Sequence, residues 1–264
     1  MAAGIAGGHS CLPHLFKTLM NSSVEPVTSA SENSANSHVH VWDLPTRIFH
    51  WLLVISFIAA YVTNWMGVSY FTYHLWSGYF VTVLVGFRIL WGLFGTHHAQ
   101  FVNFVRHPLE SFRYAASLAK NKAPSYPGHN PLGALMVLLL LSVALIQAVT
   151  GLFANDEIFN AGPLYGYISN ELSLKLTGIH KDLFYWILAA IAVHVSAVLF
   201  YVFVKRENLI KAMITGKKPR RGYEGARSIE SSKIWLALFL VVLVSALLAW
   251  VVVTAPEVVL DLGY

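Results

Sequence analysis

Cysteine is almost missing from this chain of 264 residues, with Cys11 the only one. One thiol excludes an internal disulfide framework and any Cys-ligated iron–sulfur cluster. The C-x-x-C-H signature of covalently attached haem is absent too. Charge is scarce: Asp, Glu, Lys and Arg make up 12% of the residues, where a soluble domain carries roughly 25% to wet its surface. Between Ile48 and Phe87 there is no Asp, Glu, Lys or Arg at all. No signal-peptide-like apolar segment stands in the first 37 residues, and no solenoid-type repeat runs through the chain. What is abundant is apolar surface, at 56% of residues, and histidine, with twelve copies. The first points to a membrane protein, and the second needs a reason.

A helix that crosses the bilayer needs roughly 20 apolar residues. The charge-poor runs predict five spans, at about 46–66, 74–94, 132–153, 179–204 and 234–254. The expected fold is therefore an all-α membrane protein, a four-helix transmembrane bundle followed by a fifth transmembrane helix. Residues 1–39, rich in Ser, Ala, Asn and Gly, are expected to form a disordered tail. Residues 40–215 form the four-span domain, and 216–264 a basic linker with the fifth span.

Basic residues orient these spans. Arg106, Arg113, Lys120 and Lys122 follow span two, and Lys205, Arg206, Lys211, Lys217, Lys218, Arg220, Arg221 and Arg227 follow span four. Lys17 and Arg47 precede span one. Only Lys175 and Lys181 fall on the opposite side, among Asp156, Glu157, Glu171, Glu257 and Asp261. The positive-inside rule places the N-terminus in the cytoplasm and the C-terminus outside an inner membrane. The formal charge of +5 follows from this bias and does not call for a nucleic-acid partner.

The histidines separate by position. His9, His14, His38, His40, His97, His98 and His107 fall in the tail or cytoplasmic loops and read as solvated residues. His50, His74, His180 and His194 lie inside or at the ends of spans, where an ionisable group is costly and usually functional. His180 and His194 are fourteen residues apart, which returns to nearly the same helix face about 21 Å along the axis. His74 opens span two at the level of His180. His50 lies about 24 Å below the outer end of span one, at the depth of His194. Two pairs result: His74 with His180 outside, and His50 with His194 inside. Two imidazoles at one level suit bis-histidine haem b in a bundle interior. Zinc usually takes a third or fourth ligand, and a proton relay needs no matched levels.

These residues carry a resemblance. Arg47-Ile48-Phe49-His50-Trp51, His74, Gly128-His129-Asn130-Pro131, and His180-Lys181 with His194 resemble the bacterial cytochrome b561 family. That family includes the b-type cytochrome subunits of membrane-bound nickel–iron hydrogenases. The resemblance covers about residues 40–215. It implies a dihaem, quinone-linked electron-transfer protein with two noncovalent haems b on the four histidines. The fifth span lies outside it and is expected to pack or anchor. No hydrogenase-type catalytic apparatus is present in the chain.

Haem propionates want cationic partners. Arg47, one turn from His50, and Arg88 are expected to serve the inner haem, and Lys181 the outer one. Gly78, Gly86 and Gly151 allow close approach of helices or macrocycle. Asn130 is a natural N-cap before Pro131. With His129 it also offers a quinone hydrogen-bond donors and a proton source beside the inner haem. The expected function is electron transfer between an external redox partner and the quinone pool. That partner is a periplasmic protein such as a c-type cytochrome or an oxidoreductase subunit. Two alternatives stand beside it: a non-redox membrane anchor for a periplasmic enzyme, and a His-based metal or proton transporter using Gln147 and Thr150 at the midplane.

Overall fold

The computed structural model describes residues 38–256 except 159, 221, 222 and 224. Among them, five helices are long and apolar enough to cross a membrane. They are α1 (Leu44–Trp65), α2 (Phe71–Phe94, entered through a 3₁₀ turn at Val68–Tyr70), α5 (Pro131–Leu152), α6 (Asn170–Phe203) and α8 (Ile234–Val253). The shorter elements are β1 (His38–His40), α3 (Phe101–Phe104), α4 (Pro108–Ala119), α7 (Leu209–Thr215) and β2 (Lys217–Pro219). Residues 1–37, with Cys11, His9 and His14, lie outside the described residues. So does the C-terminus beyond residue 256.

Each long helix starts where local chemistry dictates. Asp43 caps α1, its Oδ1 accepting from the Thr46 amide at 2.6 Å, with Pro45 in the first turn. Asn130 caps α5 in the same way, accepting from the Gly133 amide at 2.8 Å ahead of Pro131. Gly67, at φ +91°, makes the tight link between α1 and α2 that a side chain would resist.

α2 is the central helix. It packs against α1, α5 and α8, while α5 pairs with α6. Its buried residues include Val81 and Val85, which meet Ala144 and Ala148 of α5. On the other face Phe87 and Trp91 meet Ala237 and Leu240 of α8. Gly86 makes the α8 contact close: a Cβ there would sit 2.9 Å from a Val244 methyl.

Four features depart from the sequence expectation. Residues 38 and 39, placed in the tail, belong to β1, which pairs antiparallel with β2 so that His38 faces Pro219 and His40 faces Lys217. Val39, Val41 and Trp42 are buried against Ala212, so the strand ties the start of α1 to the segment after α6 and crosses the expected boundary at 215. Helix α6 begins nine residues before the expected 179, because Ser169 caps it and its polar first turns bond the α5–α6 loop. Ser173 donates to the Phe153 carbonyl at 2.6 Å, and the Asn155 amide donates to Thr177 at 2.8 Å. The expected loop after span two folds into amphipathic α4, capped by His107, with Ser111 donating to the Pro131 carbonyl of α5 and the Tyr114 hydroxyl bonded to that of Tyr201 in α6. Lastly, His98 is not a solvated residue: it is buried, and its Nε2–H donates to the Arg227 carbonyl at 2.7 Å.

Gly86→Val should cost about 1–3 kcal/mol of stability through overpacking against α8. Adding Val244→Ala should recover part of the loss in a thermal-unfolding double-mutant cycle. Equal stability of Gly86→Val and wild type would contradict the close α2–α8 contact.

Candidate functional site

The structure brings the four intramembrane histidines together in the two expected pairs. His74 of α2 faces His180 of α6 with ring centres 6.3 Å apart and planes at 89°. His50 of α1 faces His194 of α6 at 6.5 Å and 54°. A metal held by two imidazole nitrogens at about 2 Å each, with each ring centre about 1.2 Å behind its nitrogen, separates the centres by about 6.4 Å. Both pairs stand at that separation. Among the described residues no cluster of three or more His, Cys, Asp and Glu is placed to hold a metal ion. A two-nitrogen axial set fits haem iron and leaves zinc short of ligands.

The surroundings of the two pairs differ. At the His74/His180 end, both rings are tied from behind. His74 Nδ1 lies 2.8 Å from the Ala60 carbonyl, and His180 Nδ1 lies 2.9 Å from the Gln147 carbonyl. A carbonyl only accepts, so each Nδ1 carries the proton and each Nε2 is the unprotonated nitrogen. Gln147 also donates from its side-chain amide to the His180 carbonyl at 3.0 Å, and its nitrogen lies 3.3 Å from His180 Nε2. Thr150 Oγ1 is 3.4 Å from His180 Nδ1. Gly151 permits this embrace, because a Cβ there would meet His180 Cε1 at 2.8 Å. Lys181 is exposed.

The His50/His194 end is lined by donors without partners. His50 Nδ1 is buried and unpartnered, as are Arg47 Nε and Arg88 Nη1. Arg88 is 3% exposed, with its guanidinium over the Phe101 ring. Arg47 braces on α7 by donating from Nη1 to the Ile214 carbonyl at 2.5 Å. Buried Asp43 supports this end: its Oδ2 accepts from Thr96 Oγ1 and from Trp91 Nε1 at 3.3 Å. Unpartnered buried N–H groups are costly, and cationic ones mark a place for an anionic group such as a propionate.

His129 stands beside this end, its ring between Trp42 and Phe104 with centres 4.6 Å from each. Its Nδ1 is buried and has no partner. Burial, with the positive charges of Arg88 and Lys218 adding, pushes its pKa down to about 3. It is neutral at physiological pH. It can thus offer a hydrogen bond as a neutral imidazole. Asn130 is largely committed to the fold: besides capping α5, its Nδ2 donates to Tyr201 Oη at 2.8 Å.

Sequence reasoning missed Trp42, Asp43, Trp91, Thr96 and Phe104. Only the cap position of Asp43 before Pro45 carried a local signal. Gln147 and Thr150 were visible as midplane polar residues, and the structure places both on His180.

The profile of the prokaryotic cytochrome b561 family matches residues 41–216. Curated relatives include probable Ni/Fe-hydrogenase B-type cytochrome subunits from three bacteria. That of Azotobacter vinelandii is 26% identical over 216 residues, 67% of this chain and 87% of the relative. That of Bradyrhizobium diazoefficiens is 26% identical over 218 residues, covering 69% and 87%. That of Rhodobacter capsulatus is 24% identical over 220 residues, covering 68% and 81%. No solved structure gives a match of comparable significance.

The lowered His129 pKa has a consequence for stability. Below pH about 6.5 the unfolded chain binds a proton that the folded chain refuses, so stability falls as pH drops toward 3. The loss approaches about 1.4 kcal/mol per pH unit for this one group. Unfolding between pH 7 and 4 should show a shallower pH slope in His129→Gln than in wild type; identical slopes would contradict the buried neutral imidazole.

Proposed function

The chain belongs to the prokaryotic cytochrome b561 family, and from that premise we propose that it is a dihaem b-type cytochrome. It carries electrons between an external redox partner and the membrane quinone pool. The observation that carries the proposal is the presence of two histidine pairs, at opposite ends of one bundle, each at the spacing an iron-bridged pair requires. Haem supplies reversible one-electron transfer at each pair when bound.

The residues have distinct tasks in this reading. His74 and His180 hold one group, oriented by the Ala60 and Gln147 carbonyls. His50 and His194 hold the other, with Arg47 and Arg88 offering buried cations to its propionates. Lys181, in solvent, serves the propionates of the first group from outside. The lysines and arginines around α3, α4, α7 and β2 support a reading with the His50/His194 end on the cytoplasmic side of an inner membrane. The His74/His180 end then faces outward with the α5–α6 loop. The names of the relatives support a nickel–iron hydrogenase as the external partner.

Quinone reduction takes two electrons and two protons. His129, stacked between two aromatic rings beside Arg88, supplies a neutral hydrogen-bonding group for a quinone carbonyl. Asn130 has one amide N–H left for the same headgroup. The protons enter from the aqueous side, since His129 stays unprotonated.

The visible spectrum of the purified protein tests the proposal. Low-spin b-type bands and about two haems per chain are expected. His74→Ala or His180→Ala should remove one haem, and His50→Ala or His194→Ala the other. Absence of haem bands in wild type would defeat the proposal. His129→Leu should keep both haems and slow quinone-dependent reoxidation by roughly tenfold, the effect of one lost hydrogen bond to the headgroup.

A further inference from the structure

We propose that α4 is an interfacial helix whose outward face binds anionic phospholipid at the His50/His194 end of the bundle. The proposal goes beyond electron transfer and depends on neither haem nor quinone. It takes only the place of α4 between two membrane helices and the chemistry of its exposed side.

The first observation is position. Helix α4 lies in the link between α2, which ends at Phe94, and α5, which starts at Pro131. Its inner side is bonded to the ends of membrane helices. Ser111 donates to the Pro131 carbonyl at 3.1 Å, and the Tyr114 hydroxyl lies 3.0 Å from that of Tyr201 in α6. A helix held at the ends of two spans sits where hydrocarbon gives way to headgroups.

The second observation is the apolar part of the free side. At about 100° per residue, Phe112, Ala116 and Leu109 fall within about 60° of one another, with Ser111 and Tyr114 on the opposite side. All three are exposed, Phe112 at 72% and Leu109 at 49%. Just before them, Val102 of α3 is 82% exposed. Open to water this strip would be an adhesive patch; at the edge of a bilayer, acyl chains cover it.

The third observation is charge. Lys120, at the C-cap, and Arg113 flank the strip at about 80° and 100° from Phe112, and both are exposed. Glu110, the one acid of the helix, lies about 160° round. The ion pairs among the described residues are Lys175–Glu171 and Lys218–Glu207, which leave both cations unneutralised. Arg106, exposed ahead of the helix, adds a third. An apolar edge beside a basic edge, with the acid turned away, fits a surface that is hydrocarbon below and phosphate above. Tyr201 also accepts from Asn130, so lipid that seats α4 braces the cap of α5 as well.

A bimane probe on Phe112→Cys, in a Cys11→Ser background, tests this in nanodiscs of phosphatidylcholine. Spin-labelled phosphatidylglycerol should quench the probe at a lower mole fraction than spin-labelled phosphatidylcholine. Arg113→Gln and Lys120→Gln should each raise the phosphatidylglycerol fraction needed by up to roughly fivefold and leave phosphatidylcholine quenching as it was. Equal quenching by the two lipids, or no change in either variant, would overturn the anionic preference. Quenching by neither lipid would mean that the face looks into water, as a protein-docking surface would, and would overturn the proposal outright. Salt covers the case in which a charge variant fails to fold. At about 0.5 M the preference of the unsubstituted cations should shrink toward none, and a preference indifferent to salt would overturn the charge argument. A protein that binds no haem would defeat the proposed function and leave this result standing.

Discussion

An imidazole placed in hydrocarbon must satisfy its nitrogens locally, because no water is there to do it. Four histidines at membrane depth make that the governing constraint of this molecule. At the His74/His180 end the constraint is met by backbone carbonyls inside helices. A carbonyl has two lone pairs, so Ala60 and Gln147 can serve their own helices and still accept from a ring. For His180 this requires the ring to lie almost on the α5 backbone, and Gly151 is the residue that lets it. Each of these two rings is thereby fixed in one tautomer, with the proton on Nδ1.

The His50/His194 end depends on the same constraint through a different set of groups. Asp43 is at once the cap of α1 and the acceptor for Trp91 and Thr96. It thus ties the helix that carries His50 to the end of α2 that carries Arg88. Trp91 in turn packs with Phe87 against Ala237 and Leu240 of α8. The fifth membrane helix contains no histidine, yet it backs the part of α2 that positions Arg88. The β1–β2 pair closes the same region from the aqueous side, burying Val41 and Trp42 beside α7, and Trp42 stacks on His129. Elements that look peripheral in the chain order converge on one end of the bundle.

What could be read directly from the amino-acid order is what depends on periodicity. Hydrophobic runs locate α1, α2, α5 and α8 to within about three residues, and the fixed rise and turn of a helix pair His74 with His180 and His50 with His194 before any coordinates. What escaped depends on contacts between distant segments or on polar helix turns. A three-residue strand such as His38–His40 has too few positions to show alternation, and its partner lies far along the chain. The first turns of α6 are hidden from a hydropathy reading because Ser173 and Thr177 face the α5–α6 loop instead of lipid. The amphipathic stripe of α4 was obscured by the basic residues that mark its side of the membrane. His98 looks like any loop histidine until Arg227, more than a hundred residues away, offers it a carbonyl.

The donors at the His50/His194 end that have no partner among the described residues are the strongest physical sign that a ligand belongs there. Each buried polar group left without a partner costs roughly 1–3 kcal/mol, and a charged one more. His50 Nδ1, Arg47 Nε, Arg88 Nη1 and His129 Nδ1 all carry such a cost in one small region. Their presence together in one region argues for a group supplied from outside the chain.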